Sequence, residues 1–67
     1  MTAERVRTLL LRGDNLLKSR RPERVGRALE AFEEAREAAR GDDLAPEVRH
    51  LVERRIEAAR QIADGGA

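Results

Sequence analysis

Side chains that could perform catalysis are scarce in this chain of 67 residues. It contains one histidine, His50, one serine, two threonines, and neither cysteine nor tyrosine. An enzymatic site needs a nucleophile with a base, paired carboxylates in a pocket, or a set of metal ligands. No ligand set is complete around His50, so we expect this residue at an exposed or half-exposed position of a helix. The sequence therefore predicts a protein that is not an enzyme and that holds neither cofactor nor metal.

Charged side chains offer a different chemistry, that of binding. The net charge is only +1, but residues 1–27 carry +5 and residues 28–67 carry −4. The basic side chains cluster around one expected turn, and they are Lys18, Arg20, Arg21, Arg24 and Arg27. A basic turn of this kind could bind the phosphate groups of a nucleic acid, although no aromatic residue interleaves it. A small nucleic-acid-associated protein is therefore the alternative function.

An acidic row follows in the next segment, at Glu23, Glu30, Glu33, Glu34 and Glu37. On a helix these residues are expected to share the outer face, and like charges one turn apart cost a few tenths of a kcal/mol. The row is either a solvated surface or a docking surface for a basic partner.

The elements that position these groups are helices, because apolar residues recur at intervals of three and four. The pattern predicts helices over residues 3–19, 22–40 and 44–63. Thr2 is expected to cap the first helix, Pro22 to open the second, and Gly41 to end it. Short connections make successive helices antiparallel. The predicted fold class is all-α, a single antiparallel three-helix module consisting of a helical hairpin and a third helix.

Seven residues are predicted to form the structural core of this unit: Gly13, Leu16, Ala28, Phe32, Ala35, Leu51 and Ile56. Phe32, the only aromatic residue, is expected to anchor it. A glycine inside a helix costs about 1 kcal/mol relative to alanine. We therefore expect Gly13 to form a close-contact notch against Ala28 and Ala31 of the second helix.

Two short motifs resemble a known family. Helix 1 carries Leu9-x-x-x-Gly13-x-x-Leu16 and helix 2 carries Ala28-x-x-x-Phe32-x-x-Ala35, which resemble the two helices of a tetratricopeptide repeat over residues 6–40. A weaker resemblance, near Glu57 to Arg60, is to the microtubule-interacting and trafficking domain. Both resemblances imply a scaffold for protein interactions. The carboxylate clamp of some tetratricopeptide proteins is not implied, because Leu10 and Asp14 occupy the corresponding positions.

Two residues break the helical pattern. Leu11 points away from the inner face of helix 1, and Arg55 lies inside the apolar arc of helix 3; either one is a tolerated exception or marks a second contact surface. A chain of this size buries only about 60% of its surface on folding. We therefore predict association with a protein partner or with itself, most simply as a homodimer. No secretory signal or membrane span is expected, which favours a cytoplasmic location, and the arginine and alanine content is typical of a GC-rich bacterial genome.

Overall fold

The computed structural model describes residues 2–19, 21–40 and 45–65, which form three α-helices. Helix α1 spans Thr2–Leu17, α2 spans Pro22–Ala39 and α3 spans Pro46–Gly65. No strand occurs in these three ranges. The predicted all-α class is confirmed, and each observed helix boundary lies close to the predicted one.

Proline sets the start of two helices. Pro22 begins α2, and the preceding Arg21 is extended at φ −75° and ψ 141°, the conformation that a following proline favours. Pro46 begins α3, where its missing N–H is not needed. At the end of α2 the Arg40 N–H donates to the Glu37 carbonyl over 3.1 Å. The predictions for the side chain of Thr2 and for Gly41 to Leu44 fall outside the described residues.

Ion pairs between helices establish the antiparallel arrangement. Arg5, early in α1, contacts Glu34, late in α2, while Arg60, late in α3, contacts Glu33 of α2. Arg36 of α2 lies 3.7 Å from Glu53, nearer the start of α3. Helices α1 and α3 therefore run parallel to each other, and both run opposite to α2.

The core is built around Phe32, which is completely buried on α2. Ala28 and Ala35, one turn on either side of it, are also fully buried and let the neighbouring helices approach closely. The remaining core side chains from all three helices are Val6, Leu9, Leu10, Ala39, Val52, Ile56 and Ala59, with Leu16, Leu17 and Leu29 packed on the margin. The predicted core positions of Leu16, Ala28, Phe32, Ala35 and Ile56 are thus confirmed, Leu16 as a partly buried member.

The assignment of Leu51 to the core is wrong, because this side chain is 41% exposed. Helix α3 packs mainly against α2 and touches α1 at only a few points. On the side of α3 that faces α2, Val52, Ile56 and Ala59 are all buried. Leu51 lies on the neighbouring edge toward α1, which α1 leaves partly uncovered.

The Gly13 notch exists, and the side chain nearest to it is that of Phe32. A Cβ atom added at Gly13 would lie 2.7 Å from Cδ1 and 2.5 Å from Cζ of the Phe32 ring. Because Gly13 has no side chain, the Phe32 ring can lie close against α1 at this position.

Candidate protein-interaction site

An apolar groove runs between the parallel helices α1 and α3, with a volume of about 360 Å³. We call it the α1/α3 groove. Helix α1 contributes Val6, Arg7, Leu10, Leu11 and Asp14, and helix α3 contributes Val48, Leu51 and Arg55. The groove exists because both helices pack on α2 and not closely on each other.

Both large hydrophobic side chains that are strongly exposed in the described part of the chain line this groove. Leu11 is 58% exposed and Leu51 is 41% exposed. Leu11 points away from the inner face of α1, as predicted from its place in the helical pattern. A single exposed leucine is common on protein surfaces. Two exposed leucines that line the same groove, one from α1 and one from α3, form a continuous apolar surface.

Arg55 also lines the groove, where it joins α3 to α1. Its Nη1 donates to Oδ1 of Asp14 over 3.1 Å, and the two side chains are 41% and 32% exposed. The Nε of Arg55 is buried and has no hydrogen-bond acceptor. Arg55, the charged residue within the apolar arc of α3, therefore forms an ion pair with Asp14 of α1. The sequence pattern did not indicate this partner.

The surface continues past Leu51 into a shallow depression lined by Glu47, His50, Glu53 and Arg54. His50 is exposed, as predicted. The charged residues of the groove and depression together are the basic Arg7, Arg54 and Arg55 and the acidic Asp14, Glu47 and Glu53. This face therefore combines an apolar strip with equal numbers of positive and negative side chains.

The predicted acidic row is divided between two sides of α2, so it does not form one outer face. Glu33 lies 3.6 Å from Arg60 of α3, and Glu34 accepts from Arg5 of α1 over 2.8 Å. Glu37 pairs with Arg40 of its own helix end. Glu30 lines a cleft against α1, and Glu23 is exposed in the first turn of α2. Three of the five acids are thus partly neutralised within the chain, which weakens the row as a docking surface for a basic partner.

The basic side chains remain on the surface near the α1–α2 turn. Lys18, Arg21, Arg24 and Arg27 are exposed, and Arg20 lies outside the described residues. Arg12 of α1 joins Arg24 and Arg27 in lining a cleft, which we call the arginine cleft. Sequence reasoning missed Arg12. Its position one helical turn before Asn15 and Leu16, which line the same cleft, could have indicated that it shares their face of α1.

Within residues 2–19, 21–40 and 45–65 there is no group of three or more histidine, cysteine, aspartate or glutamate side chains that could hold a metal ion. Nor does any helix in those ranges have both the length and the apolar character required to cross a membrane. Comparisons of the chain with family models, with curated proteins and with solved structures found no match.

Proposed function

We propose that this chain is a non-enzymatic interaction module that associates with a second copy of itself through the α1/α3 groove. The observation that carries the proposal is the position of Leu11 and Leu51, two exposed leucines on facing helices that line one apolar groove. Burying them against a second copy would remove apolar surface from water, the main source of affinity in protein association.

The surface area of the chain supports association. Its accessible surface is 4982 Å², whereas a compact protein of 7.5 kDa is expected to expose about 4,250 Å². The difference of roughly 700 Å² is close to the ~800 Å² that each partner buries in a standard interface. The chain therefore exposes more surface than a compact protein of its mass, which is compatible with association.

The presence of both charge signs on this face is compatible with a second copy as the partner. In a two-fold dimer the same patch meets itself, so each side chain on one protomer needs a complement within the same patch on the other. Arg55 and Asp14 pair with each other and Glu53 pairs with Arg36, so the charged side chains left for a partner around the groove and depression are Arg7, Arg54 and Glu47. A face with one sign of charge would repel its own copy, whereas this face carries both signs.

The sequence resemblance gives independent support. Helices α1 and α2 carry the small and aromatic residues that resemble a tetratricopeptide hairpin, at Gly13, Ala28 and Phe32. That family consists of scaffolds for protein interactions, so a binding role agrees with the resemblance and with the scarcity of catalytic side chains.

The test is the molar mass in solution, measured by light scattering over a range of protein concentrations. We expect the wild-type chain to approach the mass of a dimer, and Leu11→Glu and Leu51→Glu each to remain monomeric. Because both leucines are exposed, circular dichroism should show that the two variants keep their helices.

The matched control is Gly26→Glu, which adds the same charge to an exposed position of α2 where a Cβ meets nothing within 4 Å. It should associate like the wild type. A wild-type chain that is monomeric at every concentration would overturn the proposal, as would equal dissociation of Gly26→Glu and Leu11→Glu.

A further inference from the structure

A second binding surface lies between α1 and α2, away from the α1/α3 groove. The arginine cleft is lined by Arg12, Asn15 and Leu16 of α1 and by Arg24, Arg27, Glu30, Ala31 and Glu34 of α2, and its volume is about 810 Å³. We propose that it binds an acidic peptide segment whose carboxylates alternate with apolar side chains.

The charge of the cleft is positive once the ion pairs within the chain are taken into account. Arg12, Arg24 and Arg27 form no ion pair with a described residue, whereas the cleft's Glu34 is held by Arg5 at 2.8 Å. Glu30 alone then opposes three arginines. Two further exposed basic residues, Lys18 and Arg21, lie at the nearby turn and extend the positive surface.

The pairing of charges elsewhere makes this surface distinctive. Five acidic side chains are held in ion pairs within the described part of the chain, at Asp14, Glu33, Glu34, Glu37 and Glu53. Four of these five acids belong to residues 28–67, whereas Arg12, Arg24 and Arg27 of the cleft form no ion pair with a described residue. An uncompensated patch steers a partner of opposite charge, and the planar fork of arginine matches a carboxylate through two hydrogen bonds.

The base of the cleft favours a peptide over a nucleic acid. Leu16 is partly buried there and Ala31 is only 5% exposed, and the two form a small apolar patch at the base of a cleft whose other lining residues are polar or charged. A phosphate backbone gains little from an apolar base, and unpaired bases bind by stacking on aromatic side chains. The single aromatic residue, Phe32, is completely buried and offers no such platform. An acidic peptide with apolar side chains matches both the rim and the base.

Fluorescence anisotropy with a labelled peptide of repeating Asp-Glu-Leu tests the proposal. We expect saturable binding that weakens as salt is added, because the rim charges are exposed. The variant Arg24→Gln/Arg27→Gln should weaken binding by about tenfold or more, since two charge-assisted contacts are lost.

The matched control is Arg40→Gln/Arg49→Gln, which removes the same charge from exposed positions at the opposite end of α2 and at the start of α3. It should bind like the wild type. Equal weakening by the two double variants would show attraction to net charge alone and would overturn the proposal.

Two further probes separate the peptide from other anions. A peptide of repeating Asp-Glu-Ser should bind more weakly, because it leaves the apolar base uncovered. Labelled single-stranded DNA should also bind more weakly than the Asp-Glu-Leu peptide. Equal binding of the Leu and Ser peptides, or tighter binding of DNA, would overturn the proposal in favour of a general polyanion surface. None of these variants alters Leu11 or Leu51, so the outcome is independent of self-association.

Discussion

Replacing Gly13 by alanine tests the packing of the core most directly. The substitution normally stabilises a helix by about 1 kcal/mol, because alanine loses less backbone entropy than glycine. At Gly13 the new methyl would lie 2.7 Å from Cδ1 and 2.5 Å from Cζ of Phe32, whereas carbon atoms normally approach to about 3.5–4.0 Å. The ring or the helix must therefore move by roughly 1 Å.

The ring has little room for that movement, since Phe32 is completely buried between helices. Overpacking of a filled core costs about 1–3 kcal/mol, which exceeds the gain in helix propensity. We expect Gly13→Ala to lower the free energy of unfolding by about 1 kcal/mol. For a chain of this size the melting temperature should then fall by roughly 4–8 °C.

The assay is thermal and urea unfolding followed by circular dichroism, at one low protein concentration so that association does not shift the midpoint. Gly26→Ala is the control, because that helical position is exposed and a Cβ there meets nothing within 4 Å. It should gain about 0.5–1 kcal/mol. If Gly13→Ala raises the melting temperature as much as Gly26→Ala does, Gly13 does not contact the ring and the packing described above is incorrect.

Two further substitutions test the core and the ion pair at the groove. Phe32→Ala removes the central side chain and should cost about 3–5 kcal/mol, enough to abolish the cooperative helical melt; a preserved melt would contradict the central place of Phe32. Arg55→Met removes a buried Nε that has no acceptor, at the loss of a partly exposed ion pair with Asp14. The unsatisfied donor costs about 1–3 kcal/mol and such a pair contributes at most about 1, so urea unfolding should show a small gain in stability rather than a loss.

Local features were predictable from the sequence because their causes are local. The spacing of apolar residues such as Val6, Leu9 and Leu10, together with Pro22, predicted three helices close to their observed bounds, and α3 begins at Pro46, two residues after its predicted start. The inward position of Phe32 and the outward position of Leu11 followed from helical periodicity alone. Helical periodicity determines which residues share a face of the helix. The face that carries Phe32 is apolar, and for that reason it was expected to be buried.

Which neighbour covers each face was decided by the tertiary structure. Leu51 belongs to the apolar arc of α3 but is 41% exposed, because α3 packs on α2 and leaves its edge toward α1 open. The same arrangement divides Glu33 and Glu34 between α3 and α1, although they are adjacent in sequence. Asp14 and Arg55 are 41 residues apart and meet only because α1 and α3 run parallel beside each other. Contacts of this kind depend on the relative placement of whole helices, which the pattern along one helix does not contain.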